Sequence, residues 1–100
     1  MPKGNLDSIL AKLREAQPRL NEQYGVSELW VFGSYVRGQQ KRGSDLDILV
    51  EFDREGMTLF KFVDLEITLS ELLGVKVDLV RRRALRPRIR PAILAEAVAV

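Results

Sequence analysis

Leu29-Trp30-Val31-Phe32-Gly33-Ser34 leads, across a polar loop, into Asp45-Leu46-Asp47-Ile48-Leu49-Val50-Glu51-Phe52, and the rest of the chain arranges itself around these two segments. A short continuous apolar run halted by a glycine reads as a strand buried on both faces. Gly33 frees the backbone for a close approach or a sharp turn, and a brief helix is expected from Ser34 to about Arg37, closed at Gly38. The second segment alternates. Leu46, Ile48 and Val50 project to one side, and Asp45, Asp47, Leu49 and Glu51 to the other, which predicts a strand over 45–52. Gln39 to Ser44 form the polar loop between them.

Working outward, Leu6, Ile9, Leu10, Leu13 and Leu20 recur at helical spacing, with Asn5 as N-cap and Tyr24-Gly25 as stop. Pro18 is expected to kink this helix or end it early. Downstream, Arg54-Glu55-Gly56 turns the chain, and Thr58 caps a helix carrying Leu59, Phe62, Val63, Ile67, Leu69 and Leu73, which Gly74 terminates. Val75 to Val80 reads as a third strand, with Val77 and Leu79 on one side and Lys76, Asp78 and Val80 on the other. A last helix is expected over Ile89, Ile93, Leu94, Ala97 and Val98, with Pro87 and Pro91 competing for its first turn. The order αβαβαβα gives an α/β (α+β) class: a small mixed sheet of three to four strands flanked by helices. The long helical link between the second and third strands favours parallel neighbours.

Composition narrows the chemistry. The 100 residues predict one domain spanning 1–100, with a modest core and an open groove in place of a deep cavity. Hydrophobic residues at 46% and charged residues at 30% match a soluble globular protein. The chain has no cysteine and no histidine. That removes disulfides, thiolate and imidazole ligands and every histidine-dependent triad, and it leaves carboxylates, hydroxyls, basic groups and bound ions. No apolar run approaches the ~18–20 residues of a membrane span, and Met1-Pro2-Lys3-Gly4 lacks a signal-like stretch, so a cytoplasmic location is expected. The net charge is +2, but positive residues cluster at Lys41-Arg42 and from Arg81 to Arg90, which reads as a solvated run or as a site for phosphates or acidic partners.

Three features bear on function. Gly33-Ser34 leaves a buried strand and opens a helix, a setting where backbone N–H groups and a hydroxyl can meet phosphate; Arg37 shares the helix face with Ser34. Asp45-x-Asp47 sets two carboxylates on one strand face, an unfavourable pair without a cation, and hard oxygen ligands suit Mg²⁺. Asp78 stands among β-branched residues and needs a partner, with Lys76 or an arginine as the plain structural alternative. If the Gly33-Ser34 turn serves the same ligand as Asp45 and Asp47, the first two strands run antiparallel, and a third parallel to the second brings Asp78 alongside. Trp30 and Tyr35 could stack on a base, but burial habits assign Trp30 to the core and Tyr35 to the short helix.

In this order, Gly33-Ser34, Arg37-Gly38, Asp45-Leu46-Asp47 and Val77-Asp78-Leu79 closely resemble the minimal nucleotidyltransferases (MNT) of the DNA polymerase beta superfamily, over nearly the whole chain including Ala92 to Val100. The resemblance implies the nucleotidyltransferase fold, two Mg²⁺ ions held by catalytic Asp45, Asp47 and Asp78, and nucleotide contacts from Gly33, Ser34 and Arg37. Ser44, placed to steady the turn before Asp45, joins the nucleotide-binding set. Many such proteins resemble the antitoxin half of a two-gene module whose toxin is a HEPN-domain ribonuclease on a separate chain. The implied reaction moves AMP from ATP to a tyrosine of that toxin and silences it. Three rival readings stand beside it: an antitoxin acting by contact alone, a nucleotidyltransferase subunit acting on a small molecule or RNA, and a nucleic-acid-binding domain using the arginine run, which lacks a reader motif.

Overall fold

A computed structural model describes residues 5–100; the Met1-Pro2-Lys3-Gly4 segment lies outside them. Helix α1 spans Leu6–Tyr24. The Asn5 side chain accepts from the Asp7 N–H at 2.8 Å and so caps it. Gly25, at φ +75°, ends it in the left-handed conformation. Pro18 lies inside the helix and does not end it. The hydrogen bond it cannot donate belongs to the carbonyl of Arg14, and both residues are exposed, so water can take that carbonyl.

Strand β1 is Val26–Phe32, longer at its start than the apolar run, because Val26 and Glu28 also pair with Phe52 and Glu51 of the neighbouring strand, on either side of an irregularity at Ser27. Helix α2 is Ser34–Arg37 and strand β2 is Leu46–Phe52. Helix α3, Leu59–Leu73, is capped by the Thr58 hydroxyl at the Lys61 N–H and closed by Gly74. Strand β3 is Val77–Arg81, two residues later than the sequence pattern placed it. A 3-10 turn at Arg82–Ala84 and helix α4 at Arg90–Glu96 lead to a short strand β4, Val98–Ala99. The expectation of a final helix running through Ala97 and Val98 is corrected here. Pro91 sits in the first turn of α4, the helix stops at Glu96, and Val98 and Ala99 pair with β1.

The four strands are ordered β3-β2-β1-β4. β1 runs antiparallel to β2 and β4, while β2 and β3 are parallel, as the helical crossover requires. Residues paired across a ladder share a face. One face presents Leu29, Val31, Leu46, Ile48, Val50, Val77 and Leu79, all buried in a single core with α1 and α3, which pack side by side over it. The opposite face presents Trp30, Phe32, Asp47, Leu49, Asp78 and Val80. Trp30 and Phe32 are only half-buried, so β1 is not covered on both sides and Trp30 is not a core residue. Tyr35, by contrast, is buried in the core and cannot stack on a base.

The helical layer carries the fold's apolar burial. Leu13 of α1 is 0% exposed. Leu13→Ala should cost about 2–5 kcal/mol of unfolding free energy, read as a lower urea midpoint at unchanged slope.

Candidate active site

The uncovered face gathers the acids. Asp47 stands opposite Phe32 on one side and opposite Asp78 on the other, so the parallel β2–β3 ladder sets the two carboxylates on neighbouring strands of the same face. Asp45 lies just ahead of β2, where the Leu46 N–H donates to the Lys76 carbonyl at 2.8 Å and ties the start of β2 to the approach of β3. Asp45 and Asp78 are exposed, and Asp47 is half-buried. Asp78 takes part in no ion pair among the described residues, so neither Lys76 nor an arginine partners it.

Asp47 is the focus of the strain. Its carboxyl is pushed up to about 6, first by desolvation, then by the charges of Asp78 and Asp45, with Glu96 adding to the same effect; Arg37 opposes it. Gly33 explains the desolvation. It sits at φ +83°, and a Cβ built on it would collide with the Asp47 carboxylate oxygen Oδ2. Only glycine lets the backbone of the β1–α2 turn lie this close to the acid. The Gly33-Ser34 bend and the Asp45-x-Asp47 pair therefore form one site, with the first two strands antiparallel as their shared ligand demands.

Other predicted residues fall around it. Ser34 opens α2, and its backbone carbonyl accepts from the Gln39 N–H at 2.9 Å, which closes the short helix. The Ser44 hydroxyl accepts from the Lys41 N–H at 2.8 Å, while its own N–H reaches the Lys41 carbonyl, so it fastens the loop before Asp45. Arg37 donates through Nη1 to both oxygens of Glu96, at 2.9 and 3.1 Å, and through Nε to Gln39 at 3.2 Å. The Gly33 N–H donates to Glu96 Oε2 at 2.9 Å.

Glu96 was not among the residues the sequence pointed to. Burial alone would raise its carboxyl, but the hydrogen bonds from Arg37 and Gly33 prevail and hold it below the usual range. Its signal was hidden by distance: 59 residues separate it from Arg37. The arginine run after β3 is likewise used locally. Arg82 lies over the Trp30 ring at 5.3 Å, Arg81 over the Phe52 ring at 5.1 Å, and Arg83 meets Glu51 at 3.5 Å.

A crowd of hard oxygen donors around a desolvated carboxylate fits a divalent cation of the Mg²⁺ type, which would relieve the repulsion that raises Asp47. The three acids do not yet stand in a closed cage: among the described residues no three Asp or Glu side chains are gathered in metal-holding geometry.

The crowding makes stability depend on pH. Below about pH 3 the Asp47 carboxyl is protonated in both folded and unfolded chains; as pH rises the unfolded chain ionises first, around 3.8, and above about 6 the folded chain carries the full cost of the charge. Asp47→Asn should therefore stabilise the protein in EDTA at pH 8, on the order of 1 kcal/mol once solvent screening is allowed for, and lose that advantage below about pH 3. Equal melting temperatures at pH 8 would contradict the crowding. Gly33→Ala should cost about 1–3 kcal/mol at either pH, because the turn keeps its positive φ and Asp47 must move.

Known proteins resemble this chain in sequence and fold. Residues 11–100 match the nucleotidyltransferase domain family. The protein adenylyltransferase MntA of Thermococcus cleftensis is 46% identical over 95 residues, 95% of each chain. A solved chain described as a minimal nucleotidyltransferase superposes with a TM-score of 0.78 at 43% identity, covering 96% of each chain. A chain of a toxin–antitoxin assembly solved with AMP-PNP gives a TM-score of 0.67 at 25% identity, covering 93% of this chain and 69% of that one. An acidic sheet face set against a glycine–serine bend, in a sequence with these relatives, leaves one assignment: the chain belongs to the nucleotidyltransferase domain family.

Proposed function

We propose that the chain transfers AMP from ATP to a tyrosine hydroxyl of a HEPN-domain toxin on a separate chain, in the cytoplasm, and so acts as its antitoxin. The observation that carries the reading is the pairing of Asp47 with Asp78 across the β2–β3 ladder, directly under the Gly33-Ser34 turn. The adenylyl group and the antitoxin role are supported by the MntA relative and by the toxin–antitoxin chain solved with AMP-PNP. A protein acceptor is supported by the exposure of the site: Asp45 and Asp78 are open to a side chain presented by another protein.

Asp45, Asp47 and Asp78 would hold Mg²⁺. The bound metal would supply Lewis-acid neutralisation of the triphosphate and of the attacking oxygen. The chain's own groups do the rest. Ser34 donates its hydroxyl to a phosphate oxygen, and Arg37 offers its guanidinium to the departing charge. Ser44 keeps the loop before Asp45 in place. Asp78, exposed at the end of the acidic row, takes the proton from the acceptor hydroxyl, directly or through water. The tyrosine oxygen then bonds to the α-phosphorus, the bond from that phosphorus to the bridging oxygen of the β-phosphate breaks, and pyrophosphate leaves.

A partner surface is also present. Leu59 and Phe60 at the start of α3 are 80% and 85% exposed, and Val63 and Ile67 continue the apolar strip along the helix. An apolar strip of this kind on a helix is a feature of protein-binding surfaces.

The test uses ATP labelled at the α-phosphate, Mg²⁺ and a co-purified HEPN partner. Label should appear on the partner, and Asp78→Asn should cut its rate by about 10²-fold or more with the fold intact by circular dichroism. Tight association of the two chains without any label would replace transfer by simple contact.

A further inference from the structure

Strand β4 starts beside the Gly33 turn, and the residue that reaches into the site just ahead of it is Glu96, the last of α4. The β1–β4 ladder pairs Trp30 with Ala99 and Val31 with Val98. Continued by two residues, the same register sets Gly33 opposite Glu96. At that rung the chain has already turned into α4, and the Glu96 side chain supplies the acceptor that a strand carbonyl would have given. It takes the Gly33 N–H at 2.9 Å and, with both oxygens, Nη1 of Arg37. Gln39 holds Nε of the same guanidinium. Arg37 is thus gripped on two sides, and no protein acceptor takes its Nη2 among the described residues. Its side chain remains about half exposed, at 49%.

We propose that Glu96 is a positioning residue: it aims Arg37 and the Gly33-Ser34 turn at the triphosphate, so that the segment leading into the C-terminal strand carries part of the nucleotide site. This rests on the transferase reading above. A long, flexible arginine loses rotamer freedom on gripping phosphate, and an acid that already holds one end of its fork removes part of that cost in advance. Helix α4 has no buried residue; Arg90 ties its start to the Arg83 and Leu85 carbonyls, and Glu96 ties its end to Gly33 and Arg37.

The experiment is a double-mutant cycle on the full chain, read as Mg·ATP affinity by calorimetry and as KM against kcat for label transfer. Glu96→Gln keeps an oxygen for the Gly33 N–H and removes the charge facing Arg37. It should weaken Mg·ATP binding about three- to fivefold, mostly in KM. Arg37→Ala should weaken it about tenfold or more, and the double variant should bind no worse than Arg37→Ala alone. Losses that simply multiply would make Glu96 a structural residue and overturn the assignment. Tighter binding by Glu96→Gln would also overturn it, since Glu96 would then be competing with phosphate. If Glu96→Gln lowers the urea midpoint, the cycle is run with Glu96→Asp and the same outcomes decide. Transfer abolished by Asp78→Asn but with no coupling between positions 37 and 96 removes the Glu96 role alone; a wild-type chain that binds no Mg·ATP removes the transferase reading with it.

Discussion

A half-buried carboxylate held against a glycine backbone and facing two other acids is the constraint around which this small protein is built. Asp47 is desolvated by the Gly33 turn and crowded by Asp78 and Asp45, and its raised titration shows the cost. A protein keeps such a group only if the surrounding structure over-determines it. Here it does so from three directions. The antiparallel β1–β2 ladder fixes the Gly33 turn over the acid, the parallel β2–β3 ladder fixes Asp78 beside it, and α3, which makes that parallel crossover feasible, packs into the core on the opposite face. Stability and function divide by face: one side of the sheet is apolar and buried, while the other carries the acids beside a buried Leu49.

That segregation clarifies the charge distribution. The net charge of +2 hides an acidic centre with a cationic surround. Arg37 lies close enough to oppose the rise in Asp47, while Arg82 and Arg83 lie along the same face against Trp30 and Glu51. A polyanionic nucleotide carrying a divalent cation fits such a pattern better than either charge alone, because its metal meets the acids while its phosphates meet the guanidinium. Nucleic acid would meet the arginines but also the carboxylates, and three of those arginines are already engaged with rings or with Glu51.

Much of this was readable in the residues. Gly25, Gly38 and Gly74 mark helix ends because each helix stops in a left-handed residue, and Asn5 and Thr58 cap because their side chains reach the first-turn N–H groups. The alternation from Asp45 to Phe52 separated the core side chains from the acids correctly. Other features were set by long-range pairing, which local pattern does not encode. Val26 to Glu28 became strand because Phe52 and Glu51 were there to pair with them. Pro18 stayed helical because the bond it breaks faces water. Trp30 stayed half-exposed, with the Arg82 guanidinium over its ring.

The tail shows the same limit at the site itself. Read alone, Ile89 to Val98 has helical spacing, and nothing local separates Glu96 from any acid on an exposed helix. What changes its meaning is the edge of β1. An edge strand leaves unpaired donors, and the chain closes that edge with two residues of β4 before Val100 adds one more bond to Leu29. Once Val98 is committed to Val31, register fixes the position of Glu96, and the last N–H of the edge, that of Gly33, has only this carboxylate to meet. The same bond that finishes the sheet brings an acid to the arginine of the site. Strand closure and site assembly are therefore one event, and a chain in which β4 failed to dock would lose an edge and the grip on Arg37 together.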